Sequence, residues 1–418
     1  MRVFKFGGAS VKDYNSVINL KNIIEGCDDK LVVITSAMGK TTNNLEDVWR
    51  LHIKSQKKKA LDKISFVVDY HQNIYQQLCL HENEEFVNKF QDLTKGLVSY
   101  INITRNKNVG ISYDAIVSYG ELWSTTILSY YLIQCSIKNK WLDARRLIKT
   151  SDHFQEARVN LKKSKKEIQE SIDKTNNIYI SQGFIGANED GITTTLGREG
   201  SDYSAAIFGW ALNASEVVIW KDVTGLLNAD PKLFEKTVQL KKISYKEAIE
   251  LSYLGASVIH PKTIKPLQNK EIPLTIRSFI ETNNGGSTIH FNGENDKDVP
   301  SYIFKPDQIL LSITTKDYSF IFEDHISELF KLFAENNLKV HLMQNSALSF
   351  SVCGYIKSPL LKNLIENLSE KYLVKYNEKV DLLTVRHYKE FDLPKLVANQ
   401  EILIQQRSRT TIRYVLRK

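Results

Sequence analysis

Cysteine, proline and methionine are scarce in this 418-residue sequence, which has 4 cysteines, 8 prolines and 3 methionines. The cysteines Cys27, Cys79, Cys135 and Cys353 are far apart and form no CxxC pair. Neither a zinc knuckle nor a disulfide framework is therefore predicted. The 9 histidines include no HExxH motif, so no metal site made by protein residues alone is expected. Any metal is expected to arrive with a substrate.

Long apolar runs are also missing, since none approaches the ~20 residues that a membrane helix needs. The first residues lack the apolar core of a signal peptide, and we therefore expect a cytoplasmic protein without a membrane partner. Lysine and arginine number 56 against 48 acidic residues, and this net charge of +8 is spread along the chain. An even excess argues against a nucleic-acid partner and suits small anionic substrates.

Short apolar runs alternate with helical patterns over the first 290 residues. The predicted strands cover residues 3–6, 31–35, 177–181 and 216–220, and the predicted helices cover 45–52, 114–134, 201–212, 245–254 and 262–268. This alternation predicts an α/β fold, a mostly parallel sheet sandwiched by helices. Ligands are then expected at the carboxyl ends of the strands.

Two segments depart from this rhythm. Residues 56–105 have no proline and long amphipathic runs, which predict a helical insertion in a catalytic domain of residues 1–290. A polar, turn-rich stretch near residues 283–300 is a candidate linker. Residues 300–388 then follow a βαββαβ order, which predicts a small α+β domain. For residues 389–418 the sequence predicts part of a second such domain, with a short helix near 393–398 and a hairpin.

The segment Lys5-Phe6-Gly7-Gly8-Ala9-Ser10 carries the first candidate chemistry. Paired glycines after a strand let backbone N–H groups approach an oxyanion, and a helix start adds a favourable dipole. Lys5 lies in a strand that should be buried, where an unpaired ammonium is unfavourable and a phosphate would be a partner. The alternative is a lysine that reaches solvent beside an ordinary turn.

The segment Gly197-Arg198-Glu199-Gly200-Ser201-Asp202 leads into an apolar helix. Ser201 and Asp202 suit the helix start, so the motif could be only a turn and a cap. A turn needs no arginine, however, and flanking glycines leave room for Arg198 to bind a carboxylate with two hydrogen bonds.

Glu121 lies next to Gly120 in an otherwise apolar helix. A carboxylate there needs a cationic partner, which is either a protein lysine or the amino group of a ligand.

Two later segments place polar and basic residues at a strand end or a helix start. The segment from Trp220 to Lys232 could contact a nucleotide, although its Asn-Ala-Asp-Pro part is otherwise a plain turn. His260, before Pro261, is predicted to cap a helix and not to act as a catalyst.

In their order and spacing these segments resemble the aspartokinases of the amino-acid kinase family. The resemblance rests on the segments beginning at Lys5, Ser36, Gly120, Gly197 and Gly255. It implies transfer of the γ-phosphoryl group of MgATP to the β-carboxylate of L-aspartate, which gives 4-phospho-L-aspartate. This reaction opens the biosynthesis of lysine, threonine and methionine.

The resemblance also implies a role for each matching residue. Lys5 would neutralise the transferring phosphoryl group, and Asp202 would hold Lys5 in place. Arg198 would bind the α-carboxylate of aspartate and Glu121 its ammonium. Thr42 and Ser201 would add hydrogen bonds, with Thr41 as an alternative to Thr42. The implied ATP-binding residues are Gly7, Gly8, Lys221, Asp222, Leu227, Asp230 and Lys232.

The sequence departs from the family pattern around the implied nucleotide site. Threonine is usual where Lys221 lies, tyrosine at Leu227, arginine at Lys232 and lysine at Ser257. Lys221 could therefore supply the positive charge that is lost at Ser257. Glu199 replaces a glycine and could compete for the guanidinium of Arg198.

The tail resembles one ACT regulatory module followed by part of a second, which implies a homodimer formed through this region. His341 and Ala347 replace the usual aspartate and glutamate, so weak or absent inhibition by lysine is expected. Two alternatives to a working aspartate kinase stay open. One is a regulatory subunit with a decayed kinase site, and the other is a different amino-acid kinase such as a glutamate kinase.

Overall fold

A computed structural model describes residues 1–103, 108–173, 175–256, 259–293, 296–390, 396–398 and 400–417. The chain divides into two compact units. The first comprises Met1–Leu226, Gln239–Ile249 and Val258–Gly293, and the second comprises Leu227–Val238, Glu250–Ser257 and Glu294–Lys418. Both segments of the second unit that lie before residue 294 are insertions in the sequence of the first unit.

The first unit is built on an eight-stranded sheet of order β3-β4-β2-β1-β7-β9-β10-β8. Its strands are β1 (Arg2–Phe6), β2 (Leu31–Thr35), β3 (Asn139–Leu142), β4 (Ile178–Gln182), β7 (Glu216–Lys221), β8 (Lys242–Ser244), β9 (Leu274–Ser278) and β10 (Ser287–His290). All neighbours are parallel except β9 and β10, which are antiparallel. A separate hairpin joins β5 (Ile185–Ala187) and β6 (Thr193–Thr195).

Helices surround this sheet. They are α1 (Tyr14–Glu25), α2 (Thr41–Ile53), α3 (Lys57–Gln77), α4 (Glu84–Ile103), α5 (Val109–Val117), α6 (Tyr119–Gln134), α7 (Ala144–Leu147), α8 (Leu161–Ser171), α9 (Gly200–Leu212), α10 (Tyr245–Leu254, of which residues up to Ile249 belong to this unit) and α11 (Pro261–Gln268). The predicted mostly parallel sheet with helices is confirmed. Helices α3 and α4 occupy the segment for which the sequence predicts a helical insertion.

One large apolar core joins the sheet to the helices. It includes Phe4, Phe6 and Trp220 from the strands and Phe86 and Trp123 from helices α4 and α6. The aromatic side chains of this core contact each other edge-on, in tilted pairs or stacked. Such contacts add roughly 0.5–1.5 kcal/mol per pair to the burial of their area. This core holds the strand ends that carry the polar residues described below.

The second unit contains a six-stranded antiparallel sheet of order β12-β13-β11-β14-β16-β15. Its elements are β11 (Ser301–Thr315), α12 (Glu323–Glu335), β12 (Lys339–Asn345), β13 (Ser349–Tyr355), α13 (Ser358–Lys371), β14 (Tyr372–Arg386), β15 (Glu401–Arg407) and β16 (Thr411–Arg417). The observed order of strands and helices is the predicted βαββαβ pattern with a terminal hairpin. The predicted short helix near 393–398 falls largely outside the described residues.

Two strand predictions were too short. The sequence indicates strands at 309–314 and 380–385, whereas β11 and β14 each run for 15 residues. These two strands pair along their length with an irregularity between Lys305 and Leu310. Polar and apolar residues alternate less regularly near this irregularity. The alternation by which a strand is predicted therefore breaks off there, although each strand continues.

Candidate active site

The site begins at the end of β1, where one lysine points away from the apolar core. Phe4 and Phe6 lie in the core, and Lys5 between them points to the opposite face of the sheet. The Nζ atom of Lys5 lies 2.6 Å from Oδ1 of Asp202, and the two side chains are only 8% and 3% exposed. Asp202 is in the first turn of α9. A buried lysine in this strand thus has a buried carboxylate as its partner.

Asp202 has a second cationic partner. The Nζ atom of Lys221, at the end of β7, lies 3.3 Å from Oδ2 of Asp202. Burial alone would raise the pKa of this carboxyl, but the ammonium groups of Lys5 and Lys221 outweigh it and lower the pKa. One carboxylate therefore contacts two ammonium groups.

The glycine pair after β1 packs tightly against the loop that follows β2. A Cβ atom on Gly8 would lie 2.8 Å from the Ala37 carbonyl oxygen and 3.0 Å from that of Gly39. The Gly39 N–H donates to the Gly8 oxygen over 2.9 Å. Gly7 lies beside the ammonium group of Lys5, because a Cβ atom built on Gly7 would lie 3.5 Å from the Nζ atom of Lys5. The backbone at this turn is consequently held next to the lysine.

Glu121, on α6, is 2% exposed. Its Oε1 accepts a hydrogen bond from the Ala37 N–H over 3.2 Å, while Oε2 has no hydrogen-bond partner among the described residues. Burial raises the pKa of Glu121 to about 8. The sequence predicts either a protein lysine or the amino group of a ligand as the partner of this carboxylate. Among the described residues, no lysine contacts Glu121.

A cavity of about 300 Å³ joins these groups. It is lined by Lys5, Ser36, Thr42, Glu121, Phe184, Gly197, Glu199, Gly200, Ser201, Asp202 and Lys221. Thr42 faces this cavity, whereas Thr41 is buried with its Oγ1 3.5 Å from Nε2 of His71. The geometry therefore favours Thr42 over Thr41 as a residue that could bind a ligand.

Arg198 is exposed and does not line the cavity, although both neighbouring residues do. Glu199 adopts a left-handed backbone with φ of 52°, and its carboxylate accepts a hydrogen bond from the His260 N–H over 2.7 Å. The sequence suggested that Glu199 could compete for the guanidinium of Arg198. In the structure the Glu199 carboxylate accepts a backbone hydrogen bond instead. His260 caps α11 by accepting from the Lys262 N–H, which confirms its predicted role.

The remaining implied nucleotide residues are spread over both units. Asp222 is exposed, just after Lys221. Leu227, Asp230 and Lys232 belong to the second unit, and the Asp230 side chain accepts a hydrogen bond from the Lys232 N–H over 2.9 Å. This contact is the plain turn that the sequence offered as an alternative. Ser257 lies outside the described residues.

Three contributing residues were given no role of their own from the sequence. The hydroxyl of Ser36 lies 3.0 Å from that of Ser201, and Phe184, with φ of 70°, packs against Gly200. Asp114 is buried and accepts hydrogen bonds from Thr195 and from the Gln155 N–H, so it orders the strand that leads to Gly197. A polar residue directly after the apolar strand β2 was the available signal for Ser36.

No group of three or more His, Cys, Asp or Glu side chains that could hold a metal occurs in the described residues. The cavity lining has three carboxylates: Asp202 contacts Lys5 and Lys221, Glu199 accepts from the His260 N–H, and Glu121 accepts from the Ala37 N–H. Within the same described ranges, no helix is both long and apolar enough to span a membrane.

The amino acid kinase family model matches residues 1–278. Among curated proteins, the chain is 29% identical to lysine-sensitive aspartokinase 3 of Escherichia coli, over 84% of this chain and 77% of that protein. It is 33% identical to the chloroplastic bifunctional aspartokinase/homoserine dehydrogenase 2 of Arabidopsis thaliana, over 71% of this chain and 33% of that protein. The chain thus spans about a third of the length of that bifunctional relative.

A crystal structure of E. coli aspartokinase III in complex with lysine and aspartate has a similar fold, with a TM-score of 0.80 and 25% identity. The match covers 99% of this chain and 95% of that one. A Clostridium acetobutylicum aspartate kinase superposes with a TM-score of 0.81 at 22% identity. With its first 278 residues matched by the family model and aspartokinases among its relatives, the chain belongs to the amino acid kinase family.

Proposed function

We propose that this chain is an aspartate kinase, which transfers the γ-phosphoryl group of ATP to the β-carboxylate of L-aspartate. One observation supports this proposal above the others. Two lysines converge on Asp202 beside the Gly7-Gly8 turn, and the same cavity contains Glu121 with a buried oxygen that has no partner in the described chain. A cavity with a cationic end and a carboxylate suits a phosphoryl donor and an amino acid together.

The proposed chemistry needs positioning and charge neutralisation more than proton transfer. The β-carboxylate of aspartate is already ionised at neutral pH, so no strong general base is required to activate it. Lys5 and Lys221 would neutralise the oxygens of the transferring phosphoryl group, and Asp202 would orient both ammonium groups. The backbone at Gly7 and Gly8 would contact phosphate oxygens.

The amino-acid substrate would bind through its two ends. Glu121 would accept its ammonium group at the oxygen that lacks a partner, and Thr42 and Ser201 would donate hydrogen bonds. Arg198 would bind the α-carboxylate with two parallel hydrogen bonds. Because Arg198 is exposed, this role requires its side chain to turn toward the cavity when the substrate binds.

We propose that Mg²⁺ enters with the nucleotide, because the described residues offer no three-ligand group for it. Bound Mg²⁺ would neutralise charge on the phosphate oxygens. Asp222, Leu227, Asp230 and Lys232 stay proposed nucleotide contacts. A homodimer formed through the second unit, a cytoplasmic location and the domain limits given above also stay proposals.

An assay of ADP release over aspartate, glutamate and acetylglutamate tests the proposal. Turnover with aspartate alone is the expected result, and turnover only with glutamate would indicate a different amino-acid kinase. A protein that binds amino acids but turns over none of them would be a regulatory subunit. As a matched pair, Lys5→Met should abolish turnover, while Lys166→Met, a change on the exposed face of α8, should leave it unchanged.

A further inference from the structure

The short segment that carries Arg198 is tied to two charged side chains outside the candidate cavity. We call residues 195–199, from the end of β6 to the start of α9, the Arg198 turn. Asp114, on α5, binds the first residue of this turn, and Lys262, on α11, binds the second. Neither side chain lines the cavity. Both therefore contact the turn from outside the site.

Asp114 is fully buried and uses both of its carboxylate oxygens. Oδ1 accepts from the Thr195 hydroxyl over 2.6 Å, and Oδ2 accepts from the Thr195 N–H over 3.0 Å. The Gln155 N–H lies 3.1 and 3.0 Å from the same two oxygens. No cation of the described chain pairs with this carboxylate. An asparagine here would place its own N–H groups against these donors, so the contacts require the carboxylate.

The segment around Gln155 packs directly against the Arg198 turn. A Cβ atom on Gly197 would lie 2.9 Å from Cγ of Glu156 and 3.2 Å from the Gln155 carbonyl oxygen. Gln155 and Gly197 both have left-handed backbones, with φ of 70° and 68°. A residue other than glycine keeps this conformation only when its surroundings hold it. Asp114 thus holds both backbone segments that meet at Gly197.

Lys262 contacts the turn from the start of α11. Its Nζ atom donates to the Leu196 carbonyl oxygen over 2.8 Å and lies 5.8 Å from the centroid of the Tyr203 ring. At the other end of the turn, the Glu199 carboxylate accepts from the His260 N–H over 2.7 Å. The start of α11 therefore meets the turn at two points, one before Arg198 and one after it.

We infer that Asp114 and Lys262 are positioning residues for the amino-acid substrate, because they fix the backbone from which Arg198 reaches the α-carboxylate. Arg198 is exposed, so its side chain can arrive at the substrate only from a backbone that is held in place. The inference rests on the proposed function, which includes this role of Arg198. The contacts that hold the turn can be tested without turnover.

Steady-state kinetics of the full chain with varied aspartate and varied ATP tests the inference. Asp114→Asn and Lys262→Met should each raise the apparent Michaelis constant for aspartate by about tenfold and change that for ATP by less than about twofold. Lys262→Arg keeps a donor for the carbonyl oxygen and should stay close to the unchanged chain. A purely structural role would lower the amount of folded protein and would not separate the two constants.

The chain offers a matched control for each change. Lys270→Met removes a lysine that donates to the Trp210 carbonyl oxygen over 2.6 Å and lies 4.9 Å from the centroid of that ring, at the other end of α9. Asp173→Asn changes a carboxylate that accepts from the Asn176 N–H and the Tyr179 hydroxyl, at the amino end of β4. Neither control should change the Michaelis constant for aspartate.

Amide hydrogen exchange without substrate tests the contacts separately from kinase activity. The Gly200 N–H donates to the Gly197 carbonyl oxygen over 3.0 Å and closes the turn. A peptide of residues 195–200 should therefore exchange at least about tenfold faster in Asp114→Asn and Lys262→Met than in the unchanged chain. Lys262 is only half-buried, so Lys262→Met decides the test if Asp114→Asn does not fold.

The two proposals fail in different ways. If the unchanged chain neither binds nor turns over aspartate, the proposed function is wrong, and the exchange rates alone decide whether the two side chains hold the turn. The inference is overturned if variants with wild-type melting curves keep the Michaelis constant for aspartate, if the constants for aspartate and ATP rise together, or if the turn exchanges at the wild-type rate.

Discussion

At the scale of single residues, Glu121 combines deep burial with an oxygen that lacks a partner in the described chain. Its pKa of about 8 means that the carboxyl is largely protonated at neutral pH before a ligand binds. Binding of an ammonium group requires the carboxylate form. The affinity for an amino-acid substrate should therefore depend on pH.

We expect the apparent Michaelis constant for aspartate to fall as pH rises from about 6.5 to 8.5, by up to tenfold per pH unit below the pKa. Initial rates over a range of aspartate concentrations at each pH would measure this. Glu121→Gln should bind aspartate more weakly and lose the dependence. A flat pH profile in the unchanged chain would contradict the proposed role.

The same group makes a prediction about stability. A carboxyl whose pKa is raised from 4.5 to about 8 on folding stabilises the folded state below the lower value, and this stabilisation is lost as pH rises toward the higher one. The free energy of unfolding should decline by up to about 1.4 kcal/mol per pH unit in this window from Glu121 alone. Denaturant unfolding without substrate should show a shallower decline for Glu121→Gln, and parallel curves would refute this.

Lys221 shares Asp202 with Lys5 but is more exposed, at 22% of its side chain. It is therefore the lysine that can move toward a nucleotide phosphate at lower cost. Lys221→Met should raise the Michaelis constant for ATP by roughly tenfold, the loss of about 1.4 kcal/mol from one charge-assisted contact. Steady-state kinetics with varied ATP would measure it, and Lys242→Met, an exposed lysine on β8, serves as the control. An unchanged constant for ATP would remove Lys221 from the site.

The sequence predicted residues whose chemistry needs a partner. A lysine inside a buried strand requires an anion, and Asp202 at a helix start was available to provide it, as the structure shows. For Ser36 the sequence offered only its place directly after β2, and for Phe184 it offered no signal, because a serine or phenylalanine after a strand is common and needs no ligand. Arg198 shows the opposite limit, since a residue type suited to a carboxylate does not fix where its side chain points.

At the scale of elements, the start of α9 is positioned by a close approach to the turn between β4 and β5. A Cβ atom on Gly183 would lie 2.5 Å from Cβ of Ser201 and 2.8 Å from its Cα. Any larger residue must displace the helix turn that carries Ser201 and Asp202. The position of Asp202 thus depends on a glycine 19 residues earlier in the chain.

Gly183→Ala should therefore lower turnover by about tenfold or more, because a small displacement of catalytic groups strongly reduces the reaction rate. Gly285→Ala is the matched control, since nothing lies within 4 Å of the added methyl group. Turnover of both variants, with melting curves to compare their folds, would decide. Equal activity of the two variants would show that α9 adapts without harm.

Element boundaries were less predictable than element types. The sequence indicates one helix over 114–134, but α5 and α6 separate at Ser118, whose hydroxyl donates to the Ala115 carbonyl. Such local side-chain bonds compete with the helix ladder. Strand β10 lies in the expected linker because it pairs with β8 and β9, and pairing between distant segments leaves no local pattern in the sequence.

At the scale of the whole molecule, one contact in the second unit bears on the response to lysine that the sequence leads us to expect. The Nζ atom of Lys305 lies 3.1 Å from Nδ1 of His341. Burial, reinforced by nearby cations including Lys305, lowers the pKa of His341 to about 4. His341 is therefore neutral near pH 7 and gives no negative charge that would attract a cationic effector.

We expect L-lysine at several millimolar to leave most of the activity intact, with the protein a dimer in both conditions. Kinase assays with a lysine titration and sedimentation velocity would measure this. Strong inhibition at sub-millimolar lysine would contradict the prediction for inhibition, and a monomer would contradict the prediction for assembly.

Strands β11 and β14 have a consequence for how the second unit opens. Each of them extends for 15 residues, about 50 Å at the usual rise per residue, and the flanking pairs β12-β13 and β15-β16 attach to opposite sides of this central pair. Neither flank can detach together with its central strand without exposing the backbone groups that pair β11 with β14. The slowly exchanging amide hydrogens of β11 and β14 should therefore share a single opening free energy, so that the two halves of this sheet exchange as one cooperative unit.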